Sequence, residues 1–231
     1  MGHFFILLPL LIIVVLFLHR AYKKDPENLY ARYFRNFGVL WTGCTLIGAT
    51  AVVVGGTAYA QLTGAAFSLP FHYFASALLV LLAFRLYNVK GIIPNTIAAL
   101  IFAAGIFIGS VIFFRVNGLF DTLGPLQGLY ELVWANFALV RLLVLAGILV
   151  PVGVFFLTEA FRAVNARTRA RALLIGTGTI VIGIFGGVHV FLGPPPLDFY
   201  VSWADLVVPL GFLLVFSGLV YGRGAQTPKA A

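Results

Sequence analysis

The chain has 231 residues, of which 61% are hydrophobic and only 10% are charged, and its mean hydropathy is +1.05. A water-soluble domain of this composition would expose large apolar patches, so the sequence excludes a soluble protein and predicts an all-α integral membrane protein. The formal net charge of +8 does not indicate a nucleic-acid partner, because the basic residues lie in short segments between apolar runs.

Seven apolar runs are long enough to cross a bilayer, since a membrane-spanning helix needs roughly 20 mainly apolar residues. They predict a single transmembrane domain over residues 1–231, a seven-helix bundle with helices at about 4–20, 39–62, 69–88, 92–115, 132–161, 172–193 and 199–222. No positive charge precedes the first run and a basic segment follows it, which is the reverse of a cleavable signal peptide. We therefore expect an uncleaved first helix with its amino terminus outside.

Basic residues follow every second predicted helix, whereas the alternate connections are not basic. The residues that follow this alternation are Arg20, Lys23, Lys24, Arg32, Arg35, Arg85, Lys90, Arg162, Arg167, Arg169, Arg171, Arg223 and Lys229. Only Arg115 and Arg141 lie elsewhere. By the positive-inside rule the carboxyl terminus is cytoplasmic. We expect a multi-pass protein of a prokaryotic cytoplasmic membrane, embedded in the lipid bilayer, with anionic lipid as the partner of its basic loops.

Two pairs of similar segments predict an internal repeat. Residues 42–48 (TGCTLIG) resemble residues 177–183 (TGTIVIG), and the proline, aromatic and serine pattern of 70–76 recurs in 196–202. The first three helices would then repeat as the last three, in a parallel 3+1+3 arrangement with the fourth helix as linker. The alternative is that membrane helices share Gly, Thr and Leu through composition alone. The glycines of these segments, including Gly43 and Gly178, predict close helix contacts.

Seven helices, an outside amino terminus and a 3+1+3 pattern resemble the SWEET sugar transporters, at the level of topology and over the whole chain. The resemblance implies a small-solute transporter. The proline-rich motifs of that family are missing from the helices, and residues 124–127 (GPLQ) lie in an outer loop. No binding residue of that family can therefore be placed on this chain.

Ionisable side chains inside hydrocarbon are energetically costly, so they indicate where function lies. Those of this chain lie in the outer halves of the predicted helices, together with other polar and aromatic residues. The candidates are Arg141, Asp205, His72, His189, Asn136, Tyr73, Tyr200 and Trp203. In a functional interpretation, Arg141 and Asp205 pair in an outward-facing pocket. In the structural alternative they only neutralise each other between helices, and both histidines lie at headgroup level.

Two histidines on different helices could ligate the iron of haem b from both faces, with an arginine holding a propionate. His72 and His189 are the ligands in this hypothesis, and otherwise we expect no cofactor. A single cysteine, Cys44, excludes a disulfide framework and a cysteine-rich metal site.

The sequence contains none of the common catalytic motifs, so we expect no enzymatic activity. The seventh predicted helix contains no lysine, which excludes the retinal Schiff base of microbial rhodopsins. Three functional hypotheses follow. The leading one is a non-catalytic accessory, binding or sensory subunit of a membrane complex, with a membrane-protein partner or a second copy of the chain. The others are a small-solute transporter and a b-type haem subunit for electron transfer.

Overall fold

The computed structural model describes residues 2–55, 58–188 and 198–221, and every regular element in these residues is helical. The helices are α1 (Gly2–Lys24), α2 (Leu29–Gly55), α3 (Ala58–Leu86), α4 (Ile92–Val116), α5 (Gln127–Ala135), α6 (Phe137–Arg162), α7 (Ala166–Val188) and α8 (Asp198–Val220). A 3-10 segment (Phe120–Leu126) connects α4 to α5, so residues 124–127 lie in a connection and the start of α5.

Within the described residues, four helical stretches are long and apolar enough to cross a membrane, which supports the prediction of an all-α membrane protein. These stretches are Leu62–Leu86, Ile92–Val116, Leu139–Arg162 and Ala166–Gly186. A shorter apolar stretch, Val207–Val220, lies in α8.

Three helices, α2, α3 and α7, begin at least six residues earlier than the apolar pattern predicted, and α7 begins at Ala166 rather than at 172. α2 begins at Leu29 rather than at 39, and α3 begins at Ala58 rather than at 69. Polar residues before 69 remain helical because the helix backbone provides hydrogen-bond partners for their side chains. The Ser68 hydroxyl, for example, donates to the Ala65 carbonyl at 3.1 Å. As a result, His72 lies near the middle of α3 rather than near its beginning.

The helix predicted at 132–161 is interrupted at Asn136. This residue has φ −111° and ψ 21°, and its side-chain amide donates to the Leu132 carbonyl at 2.9 Å. Asparagine competes for backbone partners in this way, which favours the end of a helix. The chain therefore forms a short α5 and a separate α6 instead of one long helix.

Helices adjacent in sequence pack on each other from α1 to α4 and from α6 to α8, and two long-range contacts, α1 with α8 and α3 with α6, join these groups. The main core contains side chains of α1, α2, α3, α6, α7 and α8. Among the described residues, α4 adds none to this core and packs instead on one side, against α3 and α5. Six helices thus form the centre of the bundle, and α4 lies beside them.

Candidate functional site

His72 lies between two side chains of α2 in the interior of the bundle. The centroids of its ring and the Trp41 ring are 4.0 Å apart, and its Nε2 atom is in hydrogen-bond contact with Cys44 Sγ at 3.0 Å. Trp41 and Cys44 are buried, with only 4% and 2% of their surface exposed. They are three residues apart on one helix, so both face α3.

Arg141 lies in the second turn of α6 and is partly buried. Its guanidinium is close enough to interact electrostatically with the Tyr73 hydroxyl and the Cys44 thiol. None of the acidic side chains that the structure describes forms an ion pair with it. We name Trp41, Cys44, His72, Tyr73 and Arg141 the central cluster.

Two polar atoms of the central cluster are fully buried without a hydrogen-bond partner among the described residues. They are Trp41 Nε1 and the Tyr73 hydroxyl oxygen. A buried polar group without a partner costs about 1–3 kcal/mol, so native structures nearly always provide one. Each of the two atoms therefore calls for a partner, which a ligand, a bound water or a side chain outside the described residues would supply.

The structure brings together three of the sequence candidates: His72, Tyr73 and Arg141. Asn136 is not among them, because its side chain is exposed and binds the backbone at the α5–α6 break. Asp205, Tyr200 and Trp203 lie in α8 at positions whose side chains are outside the described part of the chain. The Arg141–Asp205 pair stays a prediction for that reason.

His189 also lies outside the described residues, so haem ligation by His72 and His189 stays a prediction as well. In the structure, the Nε2 atom of His72 is in contact with the Cys44 thiol.

Sequence reasoning missed Trp41 and Cys44 as members of a site. In a helix that begins at 39, as the sequence predicts, Trp41 would lie at the membrane interface, where tryptophan is common. Since α2 begins at Leu29, Trp41 lies about three turns inside it. The only available signal was the spacing of Trp41 and Cys44 on one helix face.

An aromatic column connects the central cluster to the second group of helices. The Trp41 ring contacts Phe212 of α8 at a centroid distance of 4.7 Å, and Phe37 stacks on Phe212 at 5.9 Å. Phe34 packs edge-on against Phe37 at 6.4 Å. The column fills the core on the side of the cluster that leads towards the basic connections.

A cavity of about 570 Å³ lies at the end of the bundle that carries the basic connections. Its polar lining residues come from the start of α2, from the end of α3 and from both sides of the α6–α7 connection: Asn28, Tyr30, Tyr87, Glu159, Arg162, Thr168 and Arg171. Sequence reasoning did not find this site, because only the packing of distant helices brings these residues together. We name this space the basic-end cavity.

No known protein family, curated protein or solved structure matches this chain.

Proposed function

We propose that this membrane protein is a non-catalytic binding or sensory subunit, and that the central cluster holds its ligand. The observation that supports this most directly is the presence of two unpartnered buried atoms, Trp41 Nε1 and the Tyr73 hydroxyl, the second of which lies close enough to Arg141 to interact with it electrostatically. Polar groups within a bundle are retained at sites of function more often than elsewhere.

The chemistry of the central cluster favours a ligand that accepts hydrogen bonds. The Trp41 indole and the Arg141 guanidinium can only donate, and the Tyr73 hydroxyl can donate as well. A small carboxylate beside Arg141 would neutralise its positive charge and accept a hydrogen bond from the nearby Tyr73 hydroxyl. Binding is favoured over catalysis because Cys44 and His72 contact each other beneath the Trp41 ring, where the thiol is inaccessible.

The proposal includes the topology predicted from the sequence, with α1, α2, α3, α4, α6, α7 and α8 as the seven crossings. The clustering of basic residues at one end of the bundle supports a cytoplasmic assignment for that end. The amino terminus would then lie outside and the carboxyl terminus inside.

The proposal is tested by the thermal unfolding of detergent-purified protein in the presence of acetate, pyruvate, succinate or benzoate. At least one of these probes should raise the melting temperature of the wild type, because a ligand that binds only the folded state stabilises it. Arg141→Gln should weaken the binding of that probe by tenfold or more, since hydrogen bonds to charged groups contribute about 1.5–3 kcal/mol.

Arg115→Gln is the matched control. It also removes one positive charge, but from the end of α4, where Arg115 lies over the rings of Phe120 and Trp134 at 5.7 Å. Equal melting temperatures with and without every probe, or an equal loss of the shift in both variants, would contradict a carboxylate site at Arg141.

The subunit hypothesis predicts a companion protein. Purification in a mild detergent should recover the chain with a second membrane protein, or a second copy of itself, in constant stoichiometry. A monodisperse single copy would argue against a role as a subunit and leave the binding site to be tested alone.

A small-solute transporter is the second candidate, favoured by how the two groups of helices meet. A twofold axis relating α1–α3 to α6–α8 would exchange the α1–α8 contact with the α3–α6 contact, and both contacts are present. Uptake of the stabilising carboxylate into proteoliposomes, abolished by Arg141→Gln but not by Arg115→Gln, would support transport. Binding of the carboxylate without its uptake would contradict the transporter hypothesis and leave the binding or sensory function.

A further inference from the structure

An apolar groove of about 520 Å³ lies between α3, α4 and α6. Its walls are almost entirely hydrocarbon and include Val80, Phe84, Ile97, Ile101, Ile148 and Pro151. All of these residues belong to the membrane-length stretches Leu62–Leu86, Ile92–Val116 and Leu139–Arg162. The groove is therefore at a depth where lipid chains are the surrounding solvent.

The groove and the basic-end cavity adjoin. Tyr87 and Phe155 line both spaces, and their rings pack edge to face with centroids 4.8 Å apart. The Tyr87 hydroxyl points to the polar side, where it donates to Glu159 Oε1 at 3.1 Å. The apolar space thus ends where the polar space begins, and Arg162 lies at the end of a membrane-length stretch.

The polar cavity carries a net positive charge, since its lining includes the guanidinium groups of Arg162 and Arg171 but only the carboxylate of Glu159. Arg162 Nη1 is 3.4 Å from Glu159 Oε1, and Arg171 Nε donates to the Gly218 carbonyl at 3.2 Å. Each guanidinium has five N–H donors, so both retain donors for a further oxyanion.

We propose that these two spaces form one binding site for an anionic phospholipid, with the phosphate in the basic-end cavity and an acyl chain in the groove. Each volume lies in the range of about 300–1,000 Å³ that is typical of small-molecule pockets. A free phosphate would leave the groove empty, and a zwitterionic lipid would not neutralise the excess charge. This site is separate from the central cluster and does not depend on the function proposed for it.

Two variants test the two parts of the site. Arg162→Gln removes one charge from the polar cavity. Gly147→Leu places a side chain in the groove, because Gly147 lines it and a β-carbon there would meet no atom within 4 Å. The matched controls are Arg115→Gln at the other end of the bundle and Gly43→Leu, a second glycine with open space around its β-carbon position but outside the groove.

The experiment measures lipid binding to delipidated, detergent-purified protein by native mass spectrometry and by melting temperature. The probes are dioleoylphosphatidylglycerol, dioleoylphosphatidylcholine and inorganic phosphate. Phosphatidylglycerol should bind wild type at one copy per chain, at least about tenfold more tightly than phosphatidylcholine, and phosphate should give no stabilisation. Arg162→Gln and Gly147→Leu should each weaken phosphatidylglycerol binding about tenfold, while both control variants bind this lipid as tightly as the wild type does.

Several results would overturn the proposal. Equal affinity for the two lipids would show that the site does not recognise the negative charge. Full stabilisation by phosphate alone would show that no acyl chain is needed for binding. Unchanged binding in both test variants would place the lipid elsewhere. The wild-type comparison of the two lipids remains decisive if either variant does not fold.

Discussion

Trp41 and His72 contact each other at positions where each backbone carbonyl has an additional partner. The Thr45 hydroxyl donates to the Trp41 carbonyl at 2.8 Å, and the Ser76 hydroxyl donates to the His72 carbonyl at 2.9 Å. Serine and threonine hydroxyls inside membrane helices commonly donate their hydrogen bond to a backbone carbonyl of the same helix in this way. The polar groups around the contact are thus satisfied locally, which makes the unpartnered atoms of Trp41 and Tyr73 more informative.

Tyr73→Phe should reveal whether the Tyr73 hydroxyl serves the ligand. Without ligand, removal of an unsatisfied buried hydroxyl should raise the stability of the protein by up to about 1–3 kcal/mol. The carboxylate-dependent rise in melting temperature should become smaller. The measurement is thermal unfolding of the variant with and without the stabilising probe.

Tyr130→Phe is the control for this prediction, because the Tyr130 hydroxyl is 2.9 Å from Ser110 Oγ and has a partner. Loss of that bond should destabilise the protein by about 0.5–1.5 kcal/mol and leave the probe's effect unchanged. A destabilised Tyr73→Phe variant with a full response to the probe would show that the hydroxyl has only a structural partner.

At the level of the helices, glycine has different effects in the two similar segments. A β-carbon at Gly178 would lie 2.5 Å from the Gly211 carbonyl oxygen, so α7 and α8 approach there only because both residues lack side chains. A β-carbon at Gly43 would meet no atom within 4 Å. The predicted close contact is therefore present at Gly178 but not at Gly43.

Gly178→Ala should destabilise the protein by about 1–3 kcal/mol, because the added methyl group forces α7 away from α8. Gly43→Ala should be neutral or stabilising by about 0.5–1 kcal/mol, since alanine favours helix more than glycine does. Chemical denaturation of both variants in detergent micelles measures the difference. Similar stabilities would show that α7 and α8 separate without loss of free energy.

The two similar segments meet different partners in the helices beside them. Cys44 of the segment 42–48 contacts His72, whereas Gly178 of the segment 177–183 meets Gly211. Cys44 and Gly178 do not stand at equivalent positions of the two segments, so these contacts set no register between α3 and α8. The internal repeat stays a prediction.

For the whole molecule, the hydropathy of the chain was sufficient to predict helices and a membrane environment. It did not predict where α2 and α3 begin, because small and weakly polar residues such as Ser68 remain helical when the helix satisfies them. The break at Asn136 depends on one side-chain hydrogen bond. The central cluster and the basic-end cavity arise from contacts between distant helices, so composition and periodicity along the chain could not predict them.

The topology can be tested because Cys44 is the only cysteine and is 2% exposed. New cysteines at Val164, which is 98% exposed in the α6–α7 connection, and at Leu126, which is 52% exposed at the other end, provide reporters. In intact cells a membrane-impermeant maleimide should label Leu126→Cys and not Val164→Cys, because the proposed topology puts the basic end inside.

The wild-type chain is the unlabelled control, and detergent-solubilised cells should show labelling of both variants. Labelling of Val164→Cys alone in intact cells would reverse the orientation. Labelling of both variants in intact cells would rule out a bilayer between the two ends.

The lengths of α3 and α4 have a consequence for the choice of membrane. The stretches Leu62–Leu86 and Ile92–Val116 each contain 25 residues, which at 1.5 Å per residue is about 37 Å of helix. A typical hydrocarbon layer is about 30 Å thick, so these helices are about 7 Å longer than the layer, and a tilt, a kink or local thickening of the bilayer absorbs the difference. Since α3 and α4 both wall the groove, we expect bilayer thickness to act on lipid binding there from outside the protein.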